Sequence, residues 1–119
     1  MTYTKPLVNS IVAGLQEKKG HDIAIINLSN IITAPAQYFV LCTGGSPQQV
    51  EALVDSVEET VRVKLREKPA AIAGLENAEW VAMDYGTVMV HVFLPESREY
   101  YDLEHLWDDA DIQVLEDIY

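Results

Sequence analysis

Apolar residues recur at helical spacing at Leu7, Val8, Ile11, Val12 and Leu15. They predict a first helix capped by Thr4, with Pro6 in its first turn and Gly20 as its stop. Lys18 and Lys19 fall in the last turn, where positive charge suits the carbonyl end of the helix dipole. Ile23 to Ile26 is a continuous apolar run, the pattern of a central strand covered on both faces. After a polar connection from Asn27 to Gln37, Tyr38 to Cys42 reads as a second strand. Thr43-Gly44-Gly45 turns the chain, and Ser46-Pro47-Gln48-Gln49 has the S-x-x-Q form of a helix start with Pro at the first helical position. Val50, Leu53, Val54, Val57, Val61 and Leu65 make one stripe along the helix that follows, which Pro69 ends. Ala70 to Leu75 is a weak strand or extended stretch. Trp80 to Met83 and Thr87 to Leu94 then form a hairpin around Asp84-Tyr85-Gly86, where Gly supplies the positive φ of the turn. Glu96 to Trp107 reads as a last helix with Tyr100, Leu103 and Trp107 on one side.

This order of elements implies an α/β or α+β class, a mixed β-sheet flanked by helices in a single domain. The domain is expected over residues 1–110, with 111–119 an acidic C-terminal tail that is either frayed or laid on the body. A length of 119 residues, 49% of them hydrophobic, suffices for one core without a disulfide or structural metal. The single Cys agrees with this. The N-terminus lacks a signal peptide's apolar core, and no apolar run approaches the ~20 residues of a membrane helix. A cytoplasmic protein with no membrane association is the expectation.

Charge narrows the partner. Nineteen acidic residues against eight basic ones give a net charge of −11. That balance disfavours a generic nucleic-acid binder, which gains affinity by neutralising phosphates with Lys and Arg. Direct nucleic-acid contact is expected to be slight and a basic partner suits the chain better.

Several constellations invite a chemical reading. The Thr43 to Ser46 turn lies between a strand and a helix, where backbone N–H groups can hold a phosphate. It lacks the Lys of a phosphate-binding loop, and no strand carries the paired carboxylates that bring Mg²⁺ to a triphosphate. A nucleotide-binding, transferase-like enzyme built on this Gly-Gly-Ser turn is therefore the alternative reading. Cys42 and His91 lie on strands that can be adjacent, as a nucleophile and its base would, but no cation is evident to activate the thiol. His21 and His105 have no ligand-spaced companions, so no metal site, cofactor or catalytic group is expected. Glu96, Glu99, Asp102, Glu104, Asp108, Asp109 and Asp111 form an acidic face suited to solvation or to steering a basic partner. Trp80, Met83, Asp84 and Tyr85 differ in kind, because two large aromatics bracket a carboxylate on a hairpin. Alternation puts Trp80, Ala82 and Asp84 on one side and Val81 and Met83 on the other. Aromatics beside charge have the composition of binding hot spots.

The string WVAMDYGTVMVHVF followed by LPESREYYDLEHLWDDA resembles the C-terminal signature of the ribosomal silencing factor, or Iojap-like, family. The likeness continues in order through DIAIINL, YFVLCTGGS and QVEALVDSVEE, covering about positions 5–110. It implies a nucleotidyltransferase-like fold without enzymatic activity. It further implies binding to the large ribosomal subunit through a ribosomal protein at the subunit interface, which blocks joining of the small subunit and represses translation. On this resemblance the partner-binding surface falls on Trp80, Asp84 and Tyr85, with Met83 in support. Arg98, Tyr101, Leu103, Leu106 and Trp107 match the same pattern and read as helix packing. Gln37 and Gln48 depart from it, where the family usually has Asp and often a basic residue. Whether the free protein is a monomer or a homodimer is left open by the sequence.

Overall fold

The stripes predicted for the two long helices find their places in the computed structural model, which describes residues 4–107 and 110–119. Helix α1 (Thr4–Glu17) buries Leu7, Val8, Ile11 and Leu15, and α2 (Pro47–Leu65) buries Val50, Leu53, Val54, Val57 and Val61. The two helices lie against each other, with the Ser56 hydroxyl donating to the Gly14 carbonyl at 2.6 Å. A Cβ on Gly14 would come within 2.9 Å of the Val57 Cα, so only glycine permits this approach. Gly20 has a second task beyond stopping α1, since a Cβ there would meet the Cys42 sulfur at 2.3 Å.

The strands are β1 (His21–Asn27), β2 (Tyr38–Thr43), β3 (Ala71–Ala73), β4 (Trp80–Asp84), β5 (Val88–Phe93) and β6 (Asp111–Val114). They form one mixed sheet in the order β3-β4-β5-β2-β1-β6, in which β2 and β5 are parallel and every other pair is antiparallel. The class is α+β, a single compact domain. One face of the sheet carries the larger core, built from α1, α2 and residues such as Val40, Cys42, Val81, Met83, Val90 and Val92. A smaller core on the other side contains Ala24, Ile26, Leu28, Phe39, Leu41 and Phe93. Leu103 and Trp107 pack on it.

Two stretches differ from the sequence expectation. The last helix was expected to reach Trp107, but α3 spans only Pro95–Tyr101 and is followed by a 3₁₀ turn over Leu103–His105. Asp102 ends α3 in the left-handed conformation at φ 50°, its N–H donating to the Arg98 carbonyl. Its carboxylate meets His105 Nδ1 at 2.6 Å, a local bond that favours the break. As a result Leu103 and Trp107 reach the smaller core, while Tyr100 points outward, 80% exposed. The other departure is a strand within the acidic tail, which the sequence left as either frayed or laid on the body. Residues 111–114 form β6, paired with β1 from Ala24↔Val114 to Asn27↔Asp111, so this part lies on the body and is not frayed. Beyond it, Leu115 N–H donates to the Ile23 carbonyl, Asp117 bonds His21 Nδ1 at 2.8 Å, and the Tyr119 hydroxyl donates to the Gly20 carbonyl. Asp108 and Asp109 of the acidic face lie outside the described residues.

Candidate functional site on the β4–β5 hairpin

The hairpin forms as its pattern predicts. Trp80 pairs with Phe93, Ala82 with His91 and Asp84 with Met89. Burial alternates along β4, so that Val81 and Met83 are fully buried while Trp80, Ala82 and Asp84 are half-buried. At the turn, Gly86 has φ 85°, and the Asp84 carboxylate accepts from the Gly86 N–H at 2.8 Å. This local bond presents Asp84 at the end of the strand with a second oxygen beyond it.

The four candidate residues are not one cluster. Met83 is fully buried in the larger core, so it holds β4 from inside and offers no surface to a partner. Trp80 packs on the smaller core, stacked on Phe93 with ring centroids 5.5 Å apart. Tyr85 packs against the larger core, on the other side of the sheet, with its hydroxyl buried and unpartnered among the described residues. Burial, aided by Glu58 and Glu67, pushes the Tyr85 phenol pKa up, so the group is neutral. Trp80 and Asp84 share one face, about 13 Å apart along the strand. The small Ala82 lies between them, giving an open stretch of sheet with an aromatic at one end and a carboxylate at the other.

Sequence reasoning missed part of this surface. Tyr101, read as helix packing, is 50% exposed and lies over Trp80 with ring centroids 4.5 Å apart. Tyr100 meets Tyr101 edge to face at 5.1 Å. Tyr101 is the last residue of α3, and the only sequence signal for the helix ending there was an Asp tolerant of the left-handed conformation. Arg98, by contrast, is a packing residue as expected. It donates to the Thr43 hydroxyl at 2.9 Å and to Glu104 at 3.1 Å, and also to the Asp22 carbonyl. Leu106 is exposed and does not pack.

The other constellations are arranged differently from a catalytic site. His91 stands opposite Leu41 in the parallel pair, so Cys42 projects to the opposite face and the two side chains are kept apart by the sheet. Burial pushes the Cys42 thiol up to about 12, far from a reactive thiolate. At the Gly-Gly-Ser turn three backbone donors are engaged within the protein. Gly44 N–H donates to the Phe93 carbonyl, Gly45 N–H to the Gln49 side chain at 2.6 Å, and Gln49 N–H to the Ser46 hydroxyl at 3.1 Å. This is a helix cap closed from both sides. Among the described residues no group of three or more His, Cys, Asp or Glu side chains is placed to hold a metal ion, and no helix is long and apolar enough to cross a membrane.

Comparison with known proteins agrees with the fold. Residues 2–118 match the family model described as ribosomal silencing factor during starvation. The ribosomal silencing factor RsfS of Bacillus subtilis is 34% identical over 117 residues, covering 94% of this chain and 93% of that protein. That of Chromobacterium violaceum is 42% identical over 99 residues, covering 81% and 77%. A crystal structure of a protein from Chromobacterium violaceum superposes with a TM-score of 0.83 at 35% identity, covering 89% of this chain and 87% of that one. With a family match over nearly its whole length and relatives of this similarity, the chain belongs to the ribosomal silencing factor family.

Proposed function

We propose that this protein represses translation as a steric plug in the cytoplasm. It docks on a basic ribosomal protein at the intersubunit face of the large ribosomal subunit and occupies space that the small subunit needs. The reading is supported above all by the hairpin face, where half-buried Trp80 and Asp84 present an aromatic and a carboxylate on a body of net charge −11. Such a body is repelled by ribosomal RNA within a Debye length of about 8 Å, so a cationic protein surface is the favourable landing site. Tyr101, half exposed over Trp80, widens the surface, and Tyr85, packed against the larger core on the other side of the sheet, flanks it at the turn. No bond need be made or broken, because exclusion requires only residence.

The test is sedimentation of the protein with purified large subunits, followed by addition of small subunits. The wild type is expected to travel with the large subunit and reduce formation of the joined particle. Trp80→Ala is expected to weaken binding by about 2 kcal/mol, roughly thirtyfold in Kd, and to remain folded with a lowered thermal midpoint, because it also removes packing on Phe93. Full binding by both Trp80→Ala and Tyr85→Ala would sink the assignment of the surface.

A further inference from the structure

The hairpin holds a polar group that the docking reading does not use. His91, on β5 between Val90 and Val92, is only 4% exposed. Its ring lies among aromatics, edge to face with Phe39 at 4.6 Å and stacked with Phe93 at 6.0 Å. Its Nδ1 lies 3.1 Å from Trp80 Nε1. Indole nitrogen is a donor only, so Nδ1 must accept, and the proton of the neutral imidazole must sit on Nε2. That Nε2 is buried without a hydrogen-bond partner among the described residues. A buried donor left unpaired is costly, and an apolar side chain would avoid the cost at this position. The nitrogen that is paired accounts for the imidazole.

We infer that His91 is a positioning residue for Trp80: its Nδ1 anchors the indole N–H so that the ring is held in one orientation at the docking surface and shows a partner only carbon. The pairing geometry permits little else. Trp80 faces Phe93 and Ala82 faces His91 across the strands, so Trp80 and His91 are diagonal neighbours on the same face. Stacking on Phe93 fixes the tilt of the indole, and the bond to His91 selects between the ring and its flipped alternative. With its one polar atom engaged inside the protein and its ring set between Phe93 and Tyr101, Trp80 offers a partner an apolar carbon edge, which suits the aliphatic stems of Lys and Arg. An orientation held before docking spares the partner the cost of ordering the side chain.

This inference rests on the docking reading, and the experiment separates the two. His91→Leu keeps an apolar volume without an acceptor, whereas His91→Asn keeps an acceptor atom at the place of Nδ1. Large-subunit affinity is expected to fall about tenfold in His91→Leu and to recover to within about threefold of wild type in His91→Asn. The resonance of the Trp80 indole proton, assigned by its loss in Trp80→Phe, is expected to be protected from solvent exchange in the free wild-type protein and unprotected in His91→Leu. Equal affinities for His91→Leu and wild type, with Trp80→Ala impaired, would overturn the positioning role alone. Equal loss in His91→Leu and His91→Asn would reduce His91 to a packing residue and overturn it too. Unimpaired binding by Trp80→Ala would overturn the docking surface and the inference together. Should His91→Leu fail to fold, rapid solvent exchange of the wild-type indole proton is sufficient to refute the anchor.

Discussion

The neutrality of His91 has a measurable consequence at the level of the single residue. Burial holds its pKa down at about 4, against 6.5 for an ordinary histidine. No charged partner contributes to the shift. In the unfolded chain the ring takes up a proton as pH falls through 6.5, while in the folded protein it does not until about 4. The unfolded state therefore binds more protons across that window, and the contribution of His91 to stability, complete above 6.5, is lost as pH falls towards 4. The size is on the order of 3 kcal/mol. Urea unfolding at pH 7 and pH 4.5 is expected to show a larger loss for wild type than for His91→Leu, and parallel losses would contradict the burial argument. Asp84 makes a separate residue-scale prediction. Because its bond to Gly86 N–H is local, Asp84→Asn should retain the turn and a thermal midpoint near that of wild type, while Asp84→Lys should slow docking on a cationic surface.

Among the elements, those whose stability comes from side-chain burial were legible in the sequence. Both long helices, β1, β2 and the hairpin announce themselves by the period of their apolar residues, and the capping pattern at Ser46 is realised by its bond to Gln49. Replacing Ser46 with Ala is expected to cost about 1 kcal/mol in urea unfolding, without altering docking. Elements held mainly by the backbone were not legible. Every residue of β6 is exposed, so no alternation marks it, and its place is set by the ladder to β1 and by the bonds of Asp117 and Tyr119. The end of α3 was missed for a related reason, because Leu103 and Trp107 keep helical spacing although Asp102 turns the chain. Of the candidate site, the alternation of Trp80, Ala82 and Asp84 could be read, but Met83 was placed in it although the same alternation sends its side chain into the core. Contacts between distant segments, such as Tyr101 on Trp80, leave no period to detect. Removing residues 111–119 is expected to bare the outer edge of β1 and lower the thermal midpoint. It should also produce association that grows with protein concentration, as unpaired strand edges do.

At the scale of the whole molecule, charge and the covering of the sheet act together. One face of the sheet lies under α1 and α2, while on the other Trp80, Ala82 and Asp84 are each half-buried, so an aromatic and a carboxylate can be offered there without unfolding anything. The surplus of eleven negative charges then acts at long range. Association with large subunits is expected to slow by roughly tenfold between low and physiological ionic strength, with a smaller change in the rate of dissociation. A rate that rises with salt would point to an anionic landing site. The pairing of β6 with β1 also bears on how the molecule is made. Synthesis runs from the amino end, so β1 is complete long before its outer neighbour exists, and the Gly20 carbonyl waits for a tyrosine ninety-nine positions later. A chain interrupted before residue 111 therefore lacks β6 and leaves translation with its sheet one strand short.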